Sequence, residues 1–250
     1  MSAEHQERAS AILTVLSDEG SASVANLAQD LGVSEVTIRG DLRKLEQQGM
    51  LVRTRGGALP LTHKTIMQRE RVNVEEKQRI AAAAAAMIAD DDTVMIEAGT
   101  TAALIVRYLT ERSGVQVVTN SALVFANARM NPGLNIILAG GLFRRESESF
   151  VGPIAERTVR EFNTRIAFLG TDGFSPERGL TTRFVEGASV ATSMRERADE
   201  TWLVADSSKF GSAGFVSFLS LRDISGIITD SGLNAEAAEA LKEHTQVRIV

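Results

Sequence analysis

The sequence predicts an α/β protein with two domains: an N-terminal winged helix-turn-helix and a C-terminal, mostly parallel α/β sensor domain. Two short amphipathic helices precede a basic Gly-Gly turn, and after residue 75 β-rich runs alternate with helical patterns. A chain of 250 residues has room for one small and one medium domain. We expect a winged helix-turn-helix over 1–59, a linker over 60–74 and a sensor domain over 75–250.

The first 31 residues predict two helices that support a third. Glu4–Glu19 has an apolar stripe that contains Ile12 and Leu16, which predicts a packed first helix. Ser23 is a good N-cap for a helix over Val24–Leu31, and Gly32 supplies the backbone freedom of a sharp corner.

The next helix has the pattern of a DNA-reading helix. Ser34 caps it, and Ile38, Leu42 and Leu45 form its buried stripe. The opposite face is predicted to meet DNA; it carries Val36, Gly40, Arg43 and Gln47, flanked by Thr37, Arg39 and Lys44.

A short basic wing is predicted to follow. Gly49 is expected to end the reading helix as its C′ residue, and Met50–Arg53 reads as a strand before a turn over Thr54–Gly57. Arg53 and Arg55 at this turn can reach phosphates or the minor groove. The predicted DNA-binding residues are Ser34, Val36, Thr37, Arg39, Gly40, Arg43, Lys44, Arg53 and Arg55.

Composition narrows the class of protein. The net charge is −5, but five cations face three anions between Ser34 and Pro60, so a modest basic patch remains. We therefore expect a dimer or larger assembly to supply DNA affinity. The chain has no Cys and no apolar run long enough for a membrane span, and it shows no signal peptide, which fits the cytoplasm. Its three histidines lack metal-ligand spacing, so no metal site is predicted.

The second domain alternates strands and helices. The predicted strands are Thr93–Glu97, Val115–Thr119, Asn135–Ala139, Ile166–Gly170, Thr201–Ala205 and Gly226–Thr229. The predicted helices are Glu75–Ala89, Thr101–Arg112, Ala122–Met130, Ile154–Glu161, Glu186–Ala198 and Ala235–Glu243. This order predicts a parallel sheet, whose ligands bind beyond the carboxyl ends of its strands.

Five loops after these strands are rich in small and hydroxyl residues. They are Glu97–Thr101, Thr119–Ser121, Gly140-Gly141, Gly170–Gly173 and Asp206–Gly211. Turn chemistry explains any one of them, but together they indicate a pocket for a polyol that bears an anion. Lys209 is the candidate phosphate partner, and Glu97 and Asp172 are candidate acceptors of sugar hydroxyls. No loop is a Rossmann or Walker motif, so no NAD, ATP or other cofactor is expected.

VSEVTIRGDLRKLEQQGMLVRTRGGA resembles the N-terminal signature of the DeoR family of bacterial transcriptional regulators. EAGTT, TNS, the Gly-Gly turn, TDGF…GLTT and DSSKFG are similar to the sensor half of that family. That half resembles the ribose-5-phosphate isomerase and glucosamine-phosphate deaminase fold. The resemblance implies an effector pocket lined by Glu97, Gly99, Thr100, Thr101, Asn120, Ser121, Gly140, Gly141, Asp172 and Lys209.

Two positions depart from the family pattern. Gly40 stands where a second basic residue is common, so it either lets the backbone approach a base closely or marks a lost phosphate contact. Ala191 stands where many members carry a Lys. The effector could therefore have a differently placed phosphate or less charge, with Arg183, Arg195 or Lys209 as substitute cations.

The leading hypothesis is a repressor of carbohydrate-utilisation genes that a phosphorylated sugar or sugar alcohol releases from double-stranded operator DNA. The protein is expected to act as a homodimer or homotetramer and to have no catalytic residue. The alternative is a sugar-phosphate isomerase or deaminase fused to a DNA-binding domain, with Asp172 as general base and Lys209 as the residue that binds the phosphate. An activator would use the same parts as a repressor.

Overall fold

The computed structural model describes residues 3–19, 21–47, 50–60 and 66–250. Contacts divide the chain into two compact units, Met1–Arg69 and Glu70–Val250, which we call the N-terminal unit and the C-terminal unit. Gly49, the predicted end of the reading helix, and residues 61–65 of the predicted linker lie outside the described residues.

The N-terminal unit is a winged helix-turn-helix. Its helices are α1 (Ala3–Glu19), α2 (Val24–Asp30) and α3 (Glu35–Gln47), and its strands are β1 (Ala22–Ser23), β2 (Leu51–Thr54) and β3 (Gly57–Pro60). The strands form an antiparallel sheet in the order β1-β3-β2. Ile12, Leu16, Leu27, Ile38 and Leu42 pack in one buried cluster, so the predicted apolar stripes meet in a common core.

The wing differs from its predicted form. Gly57 opens β3 rather than closing the turn, and Pro60, predicted to begin the linker, pairs with Leu51 of β2. β1 pairs with Gly57 and Ala58 and does not reach Pro60. Proline has no backbone N–H, and at this end of β3 no hydrogen bond to β1 is lost.

The C-terminal unit is built on a seven-stranded parallel sheet in the order β15-β14-β12-β9-β4-β5-β6. These strands are β4 (Thr93–Ile96), β5 (Val115–Thr119), β6 (Leu134–Leu138), β9 (Thr164–Leu169), β12 (Ala198–Val204), β14 (Gly226–Thr229) and β15 (Gln246–Ile249). Val94 and Ile96 face one buried cluster, whereas Met95 between them faces another, so the sheet is covered on both sides.

Helices connect most of these strands. The described α-helices that follow the wing are α4 (Ile66–Glu70), α5 (Val74–Ala85), α6 (Ala122–Ala128), α7 (Pro153–Arg160), α8 (Val185–Glu196) and α9 (Ala235–Lys242). Short 3-10 helices span Ala102–Tyr108, Ser207–Lys209 and Leu221–Asp223. The predicted α-helix over Thr101–Arg112 is therefore a seven-residue 3-10 helix, which packs between α5 and α6 through Ala103, Ile105 and Val106.

Three further features are absent from the sequence-based prediction. β7 (Leu142–Arg144) and β8 (Ser149–Val151) form a hairpin, and β10 (Gly173–Ser175), β11 (Gly179–Thr182) and β13 (Val216–Leu219) form an antiparallel sheet. β15 extends the main sheet at its edge. Each of these strands has three or four residues, too few for a period of two to stand out. No helix in the described part of the chain is long and apolar enough to cross a membrane.

Candidate functional site

The outward face of α3 is the candidate reading surface. Ile38, Leu42 and Leu45 are buried as predicted, while Val36 has 80% of its surface exposed. Arg39, Arg43 and Lys44 are also exposed, and Thr37 and Gly40 are partly exposed. The predicted division of the helix into a buried and an outward face is thus confirmed.

Polar side chains at the start of α3 bond to one another. The Ser34 Oγ accepts from the Thr37 backbone N–H at 3.1 Å and lies 2.9 Å from the Thr37 hydroxyl. One turn of helix brings the Arg39 guanidinium within 3.1 Å of the Glu35 carboxylate. Capping and this pair therefore order the first turn of the helix.

The anions counted near the basic patch are each held by a cation. Asp41 is buried and accepts from Arg8 Nε at 2.6 Å, and Arg53 lies 3.5 Å from the Glu46 carboxylate. Arg8 lies on α1, outside the 34–60 segment, so the local sequence does not show that it neutralises Asp41. Arg55 occupies the exposed turn between β2 and β3.

The five polar loops follow five neighbouring strands. Their strands stand in the order β12-β9-β4-β5-β6 and all run parallel, so the loops share one edge of the sheet, here called the strand-end edge. The chain runs outward from β4 through β5 to β6 and then returns to the other side of β4 as β9. β4 and β9 thus flank the point where strand order reverses, which is where open parallel sheets bind ligands.

Two side chains tie the central loops together. The buried Glu97 carboxylate accepts from the Gly170 N–H at 3.2 Å across the point of reversal. The buried Asn120 side chain accepts from the Ala98 N–H at 3.1 Å and donates to the Phe150 carbonyl at 3.2 Å. These bonds set the spacing of the loops after β4, β5 and β9.

The remaining predicted effector residues lie along the same edge. Ser121 is buried and caps α6, accepting from the Val124 N–H at 3.3 Å. Asp172 accepts from the Thr182 hydroxyl at 3.1 Å and from the Arg183 N–H at 3.0 Å. The others differ in exposure: Thr101 is buried, Gly99, Thr100 and Lys209 are partly exposed, and Gly140 and Gly141 are exposed.

Asn73 contacts the strand-end edge, although the sequence placed it in the linker. Its side-chain amide donates to the buried Asp206 carboxylate at 2.7 Å and to the Ser208 hydroxyl at 3.3 Å. Asn73 adopts the left-handed conformation, with φ of 52°, immediately before α5. Asn is among the residues that tolerate this conformation, which is the one local signal that could have drawn attention to it.

Asp230 supports the loop that carries Lys209. Its carboxylate accepts from the Ser207 N–H at 2.7 Å, from the Ser207 hydroxyl at 2.9 Å and from the Gly232 N–H at 2.9 Å. Burial acts to raise the pKa of Asp230, but these hydrogen bonds outweigh it and lower the pKa below its usual value. The carboxylate is therefore charged near neutral pH.

The two positions that depart from the family pattern have different surroundings. Ala191 is buried on α8 among apolar residues, whereas a Cβ at Gly40 would meet no atom within 4 Å. Of the substitute cations, Arg195 donates to the Asp223 carbonyl at 2.9 Å. Among the described side chains, no group of three acidic or histidine residues is arranged to hold a metal ion.

Comparison with known proteins finds matches along both units. Residues 8–64 match the model of the DeoR-like helix-turn-helix domain, and residues 72–231 match that of the DeoR C terminal sensor domain. The HTH-type transcriptional regulator GlpR of Haloferax volcanii is 37% identical over 94% of this chain and 94% of its own. The putative aga operon transcriptional repressor of Escherichia coli O157:H7 is 34% identical over 95% of this chain and 90% of its own.

Solved structures give a more distant likeness. A ribose 5-phosphate isomerase from Methanocaldococcus jannaschii matches 55% of this chain and 55% of its own, with 21% identity and a TM-score of 0.39.

Proposed function

We propose a function from one premise: the chain belongs to the DeoR family of transcriptional regulators. The protein binds operator DNA through its N-terminal unit and represses carbohydrate-utilisation genes. A phosphorylated sugar or sugar alcohol, bound by its C-terminal unit, releases it. It works in the cytoplasm, where operator DNA and soluble metabolites are both present.

The outward face of α3 supports the DNA-binding half of the proposal. Arg43 and Lys44 are exposed on the same helix as Val36, and Arg55 projects from the wing. Cations of this kind position a protein on the phosphate backbone, and the start of a recognition helix contacts base edges.

The strand-end edge supports the sensing half. The single observation that carries it is that polar loops follow five adjacent parallel strands at one edge of one sheet. In the proposed complex Lys209 binds the phosphate, and backbone N–H groups near Gly99, Gly140 and Gly141 add donors. The helix after Thr101 is a seven-residue 3-10 helix rather than the predicted α-helix, so the proposal assigns the phosphate to Lys209 and not to the start of a helix.

The enzymatic alternative receives no support from a specific observation. The curated relatives reported above are transcriptional regulators, and the protein is a regulator rather than an enzyme. Asp172 Oδ2 accepts from the Thr182 hydroxyl and from the Arg183 N–H. In the proposed site Asp172 therefore orders its loop and is a candidate acceptor of a sugar hydroxyl.

Titration of DNA binding with sugars tests the proposal. The full-length chain is bound to the DNA upstream of its own gene and titrated with free and phosphorylated sugars and sugar alcohols. A typical coupling of about 1–3 kcal/mol would weaken DNA binding roughly 5- to 150-fold. If DNA binds but no compound alters its affinity, the sensing half is wrong.

Two variants test whether Arg43 acts in DNA binding and Lys209 in effector binding. Arg43→Ala should weaken DNA binding and leave effector affinity unchanged, because it removes a cation from the reading face. Lys209→Ala should weaken effector binding by about tenfold or more and leave effector-free DNA binding unchanged. The reverse pattern, or loss of both activities in either variant, would contradict the assignment.

A further inference from the structure

The most exposed side chain at the start of α3 is apolar. Val36 has 80% of its surface exposed, whereas the polar groups around it are engaged within the helix. The hydroxyls of Ser34 and Thr37 lie 2.9 Å apart, and Arg39 pairs with Glu35 at 3.1 Å. The group that this turn of helix offers outward is therefore the pair of methyl groups on Val36.

Two residues on this face of α3, Val36 and Gly40, have low helix propensity. Val loses rotamer freedom in a helix, and Gly40, one turn further along, is among the poorest helix formers. Packing does not require glycine at this position, because a Cβ there would meet nothing within 4 Å. Close contact of this face with another molecule would explain both residues. Val36 would supply an apolar contact, and Gly40, which has no side chain, would let the helix come close.

We propose that Val36 selects operator DNA by contact with a thymine 5-methyl group in the major groove. Gly40 lets the helix lie close enough for that contact. The inference rests on the proposed DNA-binding function and extends it to the base that is read. Thymine is the base whose major-groove edge carries a methyl group, and an apolar side chain is the chemistry that recognises it.

Charge supports DNA as the occupant of this face. Arg43 and Lys44 are exposed further along α3, where they can contact the phosphates that border the groove. Val36 is the second residue of the helix, and the N-terminal residues of a recognition helix are those that reach base edges.

Replacement of thymine by uracil tests the contact, because uracil differs from thymine only in lacking the 5-methyl group. Genomic fragments retained by the full-length chain are amplified with either dTTP or dUTP, and the affinity of the chain for both products is measured. Burial of one methyl group corresponds to a preference of about 4-fold, so two half-sites should give roughly 15-fold tighter binding of thymine DNA.

Three variants separate this contact from other causes. Val36→Ala should bring the preference for thymine DNA below about twofold, whereas Arg43→Ala should weaken binding of both DNAs and keep the preference. Gly40→Leu should lower the preference although it raises the melting temperature, because its side chain holds the helix away from the base.

The outcomes distinguish this inference from the function on which it rests. Retention of no DNA at all would overturn both. Equal affinity of the unmodified chain for both DNAs would overturn only the thymine contact, and so would a preference that persists in Val36→Ala.

Discussion

Gly40 and Gly57 are two glycines of the N-terminal unit with opposite surroundings. A Cβ at Gly40 would meet nothing within 4 Å, whereas a Cβ at Gly57 would collide with the carbonyl oxygen of Ala22 in β1. The first glycine is therefore free of any packing requirement, and the second is required where β1 pairs with β3. The same residue type has different consequences because its neighbours differ.

Alanine at these two positions should have opposite effects on stability. Gly40→Ala should stabilise the N-terminal unit by about 1 kcal/mol, because Ala is the better helix former and has room. Gly57→Ala is the matched control and should destabilise it, because the strand must move away from β1. Denaturant unfolding of both variants measures the two changes; a destabilised Gly40→Ala would show that the glycine is structurally required.

Asp230 should make the stability of the C-terminal unit depend on acid pH. Its pKa is lowered in the folded chain, so its contribution is present above the unfolded value of about 3.9 and is lost as pH falls through the folded value. Asp230→Asn replaces one of the two carboxylate oxygens by an NH2 group, so either the Ser207 N–H or the Gly232 N–H then faces a donor; the change should cost about 1–3 kcal/mol at pH 7.

Unfolding measured from pH 7 to pH 3 tests this expectation. The free energy of unfolding of Asp230→Asn should be lower at pH 7 and should fall less on acidification than that of the unmodified chain. Glu236→Gln, which changes an exposed carboxylate on α9, is the control and should preserve the acid-dependent fall. An unchanged pH profile in Asp230→Asn would contradict the role of this carboxylate.

At the scale of elements, Asn73, the residue before α5, connects the strand-end edge with the segment that precedes α5. Asn73 donates to Asp206 at 2.7 Å, and Lys77 of the same helix donates to the Val72 carbonyl at 2.6 Å. Asn73 lies four residues after Arg69, the last residue of the N-terminal unit. Asn73 thus ties the Asp206–Lys209 loop to the residues that follow the N-terminal unit along the chain.

Asn73→Gly should reduce the response of DNA binding to the effector. Glycine retains the left-handed backbone conformation but removes the amide that holds Asp206. The effector changes the DNA affinity of the unmodified chain by a certain factor. We expect that factor to be at least threefold smaller in Asn73→Gly. Asn234→Ala is the control, because it removes an ordinary helix cap: the Asn234 side chain accepts from the Ala237 N–H at 2.8 Å. An equal change of this factor in both variants would argue against a specific coupling.

At the scale of the whole molecule, one chain offers a single reading helix and a modest basic patch. Operators read by dimers contain two half-sites whose centres are separated by one DNA turn, about 10 base pairs, or a multiple of it. We expect the full-length chain to sediment as a dimer or tetramer and to protect two such half-sites from nuclease. A monomer that protects one short site would contradict the proposed assembly.

Much of this architecture could be inferred from local signals. The stripe of Ile38, Leu42 and Leu45 predicted the orientation of α3, and the alternation of strands and helices predicted a parallel sheet. Strands of three residues, such as β7 and β8, were not predicted because they are too short for an alternation of period two to stand out. The roles of the predicted DNA-binding and effector residues stay predictions.

The sequence by itself determined the two-domain plan, the outward face of α3 and the family, because helical periodicity, capping and turn chemistry are encoded within short windows. Only the tertiary structure decided that Asp41 is buried against Arg8, that Asn73 holds Asp206, and that Glu97 meets Gly170 where strand order reverses. These contacts join residues between 33 and 133 positions apart. They depend on how the strands are ordered and packed, which local patterns do not specify.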